Sequence, residues 1–488
     1  MDEDLKVLER FRSHVPGFDE ILGGGMFVGA TYLVAARPGL GKTILANQVA
    51  YGHAASGGKV VYVTLLAESH ARLMLALEQM SYFRRDLVGD SLQYLSGFKS
   101  LESGKLTGLI GTLRKVVRDH KATLLVVDGL VTAGSLAESA VELKVFIHEL
   151  QVLVELVDCT CLLLTGGDEH DAGTYAQRTM VDGLISMKAQ RVGLQTVREI
   201  EIQKHRGSRQ ILGGSFYEIS SEGIRIYPRT EATLGLRGPQ KTTRSQTSMV
   251  TGVRGLDAMM GGGFQPDSTS MVLGSPGSGK TLLGLSFLAK GAEKGEAGLY
   301  VGFFESPTRI AEKASAIGLT LPSESRPDGV EIQWHAPQEL IADRLAEQLL
   351  EHLAERKVKR LFIDGLAGLR RAVVYPERIG PFFTSLSNEL RARGVTTVVS
   401  EEIKGLFGPE PEIPAEGTPS MMDNIVFLRQ VEQGGKLRRL ISLIKTREGP
   451  SDTSIRELKI TDHGLAVAAV GAGQRTGTAA KARSARRG

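Results

Sequence analysis

Two stretches of this chain end in Gly-Lys-Thr, and each sets a lysine ammonium and a threonine hydroxyl at the spacing used to hold phosphates. In Gly274-Ser275-Pro276-Gly277-Ser278-Gly279-Lys280-Thr281 every required position of G-x-x-x-x-G-K-[ST] is filled. The glycines let backbone N–H groups wrap the phosphates of ATP, the Lys280 ammonium reaches the β and γ phosphates, and the Thr281 hydroxyl ligates Mg2+. The other stretch reads Ala36-Arg37-Pro38-Gly39-Leu40-Gly41-Lys42-Thr43, with Ala in place of the first Gly. That methyl group matters only if φ is positive there. Gly39, Gly41, Lys42 and Thr43 are therefore read as a second nucleotide site, with retained binding and poor hydrolysis as the competing outcome.

Asp128 and Asp364 each close an apolar run and precede Gly-Leu, an arrangement in which a carboxylate at a strand tip holds Mg2+ through water. Hydrolysis also needs a group that orients or deprotonates the attacking water, and Glu68 and Glu305 are expected at the ends of neighbouring strands. Either could instead open a helix, since Ser69 follows one and Ser306-Pro307 the other. Charge gathering on the γ-phosphate is stabilised by an outside cation. Lys204 with Arg206, and Lys445 with Arg447, are candidates, and alternation predicts that each pair shares one strand face. A solvated charged face is the plainer reading of both.

The elements that must position these groups occur twice. Gly17-Phe-Asp19 leading to Gly23-Gly-Gly25 is matched by Gly255-Leu-Asp257 leading to Gly261-Gly-Gly263, and the same offset of 238 residues relates Lys42 to Lys280. Each copy continues with a short apolar strand, the Gly-rich loop and a helical stretch. Further strands are expected over Val60 to Glu68 and Gly298 to Glu305, Thr123 to Asp128 and Arg360 to Asp364, Cys159 to Thr165 and Val395 to Glu402. Strands alternating with helices imply an α/β fold: two tandem RecA-like P-loop domains, each a mainly parallel sheet flanked by helices.

At 488 residues the chain exceeds what one core usually supports. Two domains are expected, residues 1–230 and 250–467, with a Thr-, Ser- and Gly-rich linker over 231–249 and a disordered basic tail over 468–488. No apolar run approaches a membrane span, and the acidic start MDEDLKVLER is unlike a secretory signal, so a cytoplasmic protein is expected. Cys159 and Cys161 lack ligand-spaced partners and are read as buried strand residues. The formal charge of +4 comes from the tail, whose last 23 residues carry five basic groups and no acid. The remaining body is close to neutral, which does not favour a nucleic-acid-binding surface.

With both halves laid out, the chain resembles the KaiC family of RecA-superfamily ATPases, whose founding members drive the cyanobacterial circadian oscillator. The resemblance covers about residues 11 to 467 and rests on the paired Gly-x-Asp turns, both P-loops, the strand-end acids, the Lys-x-Arg strands and the closing Thr461-Asp462-His463-Gly464-Leu465. It implies an ATP-dependent homohexamer with nucleotide between subunits, each Lys-x-Arg strand contacting a neighbour's phosphate. It further implies a Ser/Thr autokinase in the second half. Two departures stand out. The family carries two adjacent Glu residues at each strand tip, where this chain has Ala67-Glu68 and Phe304-Glu305. The phosphoacceptor Ser-Thr pair falls on Pro419 and Ser420, leaving Ser420, with Thr418 nearby, as candidate acceptors.

The leading reading is an ATP-hydrolysing switch that signals to unidentified protein partners. A DNA-acting motor or recombinase is the alternative from another class, and a non-hydrolysing nucleotide-binding scaffold is the third.

Overall fold

The computed structural model describes residues 8–65, 70–167, 175–235, 248–336, 341–403, 421–433, 435–447 and 451–469. The chain divides into two compact units, Met1–Ala232 and Thr233–Gly488. No helix among the described residues is long and apolar enough to cross a membrane.

The first unit is built on a nine-stranded sheet: β1 Thr31–Ala36, β2 Val60–Thr64, β3 Leu92–Ser96, β4 Leu124–Asp128, β5 Thr160–Thr165, β6 Gly183–Val192, β7 Gln195–His205, β8 Ser215–Ser220 and β9 Gly223–Tyr227. They lie in the order β3-β2-β4-β5-β1-β6-β7-β8-β9. Pairing is parallel from β3 through β6 and antiparallel from β6 to β9. The second unit has β10 Thr269–Gly274, β11 Gly298–Gly302, β12 Val330–Trp334, β13 Arg360–Asp364, β14 Thr396–Glu402, β15 Asn424–Gln433, β16 Lys436–Thr446, β17 Arg456–Thr461 and β18 Gly464–Ala469. Their order, β12-β11-β13-β14-β10-β15-β16-β17-β18, is the same topology. Each unit is thus a RecA-like sheet with the P-loop strand, β1 or β10, inside it.

Parallel strands need both faces covered, and the apolar runs supply both. On β1, Tyr32 and Val34 join the core under helix α1 (Lys42–Ala55), while Leu33 joins the core under α2 (Phe98–His120) and α3 (Ala140–Leu156). On β10, Val272 packs with α4 (Lys280–Ala292), whereas Met271 and Leu273 face α5 (Ala342–Glu355) and α6 (Ile379–Ala392). Helix α5 is set on the sheet by Leu345, Ala346, Leu349, Leu350 and Leu353, a stripe at helical spacing. Each such buried leucine contributes about 1.5–3 kcal/mol of transfer free energy.

One expectation needs correction. The strands expected to run to Glu68 and Glu305 stop at Thr64 and Gly302, and Ser306 with Pro307 opens the helix Pro307–Ala316. Proline at the first helical position pre-sets φ for that helix. Glu305 accordingly stands in the turn beyond the strand rather than on it. Within the stretch read as a linker, Thr230–Leu234 forms a short helix. Cys159 and Cys161 are fully buried and free, and burial pushes the Cys159 thiol up to about 12.

Candidate nucleotide sites

Both P-loops leave the carboxyl end of the central strand and turn straight into a helix. Gly41 and Gly279 cap α1 and α4 with φ of 93° and 107°, a region L side chains avoid, and this aims the first helical N–H groups back over the loop. Ala36 lies on β1, in register with Met187, and is not among the residues with positive φ. Its methyl group therefore does not strain the turn. The Lys42 ammonium donates to the Ala36 carbonyl at 2.8 Å, as Lys280 does to Gly274 at 2.8 Å and to Ser275 at 2.9 Å. Burial lowers the pKa of both lysines, and Asp128 opposes this at Lys42, while Glu402, Asp364 and Glu401 oppose it at Lys280.

The two aspartates sit where the spacing predicts. Thr43 Oγ1 donates to Asp128 Oδ2 at 3.0 Å, and Thr281 Oγ1 to Asp364 Oδ2 at 2.8 Å. Each carboxylate also accepts from a buried tyrosine of the adjacent strand, Tyr62 at 3.0 Å and Tyr300 at 2.8 Å. In the second unit Ser400 Oγ donates to Asp364 Oδ1 at 2.6 Å and accepts from the Gly365 N–H at 2.8 Å. Sequence reasoning missed all three. Tyr62 and Tyr300 share the offset of the P-loop lysines and were there to be found. Ser400 has no polar counterpart, since Leu164 pairs with Asp128 in the first sheet.

A Thr hydroxyl bonded to a carboxylate at the foot of a P-loop suits Mg2+, which takes oxygen donors and keeps several waters. That preference also explains why no cluster of three His, Cys, Asp or Glu side chains is needed, and none occurs among the described residues. In the second unit these groups line a cleft of about 700 Å³ that includes Gly277, Gly279, Lys280, Thr281, Asp364 and Glu305. Glu305 is held there by Lys313, whose Nζ lies 2.5 Å from its carboxylate. Glu402, the last residue of β14, lines the same cleft and was not singled out as a site residue.

Lys204 and Lys445 lie at the other end of their sheets. Lys204 pairs with Leu184, which is level with Leu33 near the start of β1, and Lys445 pairs with Ile425, level with Met271. The sharing of one strand face by each pair is corrected here. β7 ends at His205 and β16 at Thr446, with a bulge one step earlier in both, so Arg206 and Arg447 fall in the following turns. There they approach Asp182 at 3.8 Å and Asp423 at 3.2 Å. Lys204 donates to the Thr179 carbonyl at 3.0 Å. Glu68, Thr418 and Ser420 lie outside the described residues.

A family model described as "ATPase: KaiC" matches residues 11–231 and again 249–471. The circadian clock oscillator protein KaiC of Picosynechococcus sp. is 26% identical over 475 residues, covering 95% of this chain and 90% of that protein. The protein of the same name from Rippkaea orientalis is 26% identical over 469 residues, covering 94% and 88%. KaiC 1 of Synechocystis sp. is 25% identical over 478 residues, covering 95% and 90%. With the P-loops, the strand-tip aspartates and both halves matched, this chain belongs to the KaiC family of ATPases.

Proposed function

We propose that this ATPase is a switch in which two nucleotide sites per chain, one in each of the domains 1–230 and 250–467, drive changes in a homohexamer that signals to other proteins. The observation that carries the reading is the recurrence, under both P-loops, of one hydrogen-bonded set: lysine on the loop, threonine on a strand-tip aspartate, and tyrosine behind it. Bound Mg-ATP supplies the phosphoanhydride and the metal that neutralises its charge. Gly39, Gly41, Lys42 and Thr43 would hold it in the first half; the loop Gly274, Ser275, Pro276, Gly277, Ser278, Gly279, Lys280 and Thr281 would hold it in the second. Asp128 and Asp364 would hold Mg2+ through water, and Glu305 would orient the attacking water and take its proton, with Glu68 as its counterpart.

The hexamer is supported by the placement of the Lys-x-Arg cations. Lys204 lies two strands across from β1 and three residues below its end, an offset of about 10 Å along the strand direction at 3.3 Å per residue, and Arg206 is further still. That offset favours a phosphate held by another copy as the one these groups reach. Autophosphorylation at Ser420 or Thr418 is a finer proposal, resting on their place before Asp423 in the sequence.

Phosphate release from Mg-ATP by the full chain and by Lys42→Ala, Lys280→Ala and the double variant tests the reading, each measured with and without single-stranded DNA. Each single variant should lose part of the release and the double variant all of it, with DNA indifferent throughout. Strong stimulation by DNA would replace the switch with a motor. Turnover that survives the double substitution would remove both sites from the chemistry.

A further inference from the structure

The short helix Leu366–Ala372 after Asp364 carries two successive arginines in different surroundings. Arg370 is ion-paired with Glu401, a carboxylate 2% exposed. Arg371 is exposed and lines the cleft that holds Lys280, Thr281 and Asp364, and among the described residues no hydrogen bond or ion pair engages it. The other cation of that cleft outside the P-loop, Lys313, is already taken by Glu305. In the first half the matching helix, Leu130–Leu136, follows Asp128 in the same way. The seventh residue past the aspartate is Ser135 there and Arg371 here.

A cation with no partner among the described residues, facing a phosphate cleft, is placed for a negative group that arrives with the ligand. We propose that Arg371 is a ligand of the nucleotide's terminal phosphate, supplied by the same chain, so that the second site carries a charge that Ser135, at the matching position of the first, does not supply. The proposal rests on the second half being an ATP site. A guanidinium presents a planar fork to two phosphate oxygens and stays protonated throughout. In hydrolysis the water oxygen bonds to the γ-phosphorus as its bond to the bridging oxygen breaks, giving ADP and phosphate. Arg371 neutralises charge on the group being transferred, which ADP lacks.

Calorimetric titration of the full chain in a Lys42→Ala background, with Mg-ADP and with a non-hydrolysable Mg-ATP analogue, reads this directly. Arg371→Ala should weaken the analogue by about tenfold or more, leave ADP unchanged, and lower the rate of phosphate release; Arg371→Lys should recover only part. Because Arg371 is exposed, the unfolding midpoint should not move. Equal weakening of both nucleotides, or no change in either, would overturn the assignment while leaving the ATP site in place. Failure of the parent to bind either nucleotide would instead sink the ATP-site reading, and this proposal with it.

Discussion

At the scale of single residues, Asp364 is the most constrained polar group in the second site. Three hydroxyls, from Thr281, Tyr300 and Ser400, donate to its two oxygens, so the carboxylate has little freedom to turn. Such groups fix the direction in which a metal-facing oxygen points, and disturbing that arrangement typically weakens metal binding by about 10- to 100-fold. Asp364→Asn keeps the shape but loses the charge and offers one acceptor oxygen instead of two. The Mg2+ concentration giving half-maximal phosphate release, measured in a Lys42→Ala background, should rise by at least about tenfold. Binding of metal-free nucleotide should persist through Lys280. An unchanged Mg2+ midpoint would mean that Asp364 serves the core and not the metal.

At the scale of elements, the two units use one topology with different packing at the same junction. Gly284 of α4 lies against the Phe362 ring of β13, and a Cβ there would come within 2.2 Å of it. Counting from the P-loop lysine and from the strand-tip aspartate, the first unit has Ala46 and Val126 at these places. A small helix residue faces a large ring in one unit, and both are of middling size in the other. Gly284→Ala should therefore destabilise the second unit by about 1–3 kcal/mol through overpacking. Adding Phe362→Val should recover much of that loss, an interaction that a double-mutant cycle in urea would detect. Additive effects would show that the close approach carries no coupling.

The same comparison explains what could be read in advance. The parallel sheet, the P-loops and the strand-tip aspartates were legible because apolar runs, glycines and acids recur in order. The turn to Glu305 was not, because both strands stop at the same point, Thr64 and Gly302, with no breaker in the sequence to mark it. Nor was the face of Arg206 and Arg447, since a bulge and a strand end override simple alternation. Ser400 has an apolar counterpart and Arg371 an uncharged one, so a search for repeats passes over them. Pairing of Lys313 with Glu305 depends on helix phase after a turn of unknown shape.

At the scale of the whole molecule, the asymmetry between sites decides how each depends on assembly. The first half has Ser135 where the second has Arg371, and its own Lys204 and Arg206 stand at the far end of the sheet from its P-loop. In the proposed ring, hydrolysis there would use a cation lent by the neighbour, and each subunit would both lend and borrow. With the second site silenced by Lys280→Ala, a chain carrying Lys42→Ala should release no phosphate, and one carrying Lys204→Ala with Arg206→Ala should release little. Mixed in equal amounts and allowed to exchange, they should regain activity, because about one interface in four joins an intact P-loop to intact cations. Phosphate release that stays at the level of the separate variants, although an affinity tag on one variant co-purifies the other, would mean that these cations do not act across the interface. The first site would then have to draw its charge from its own chain.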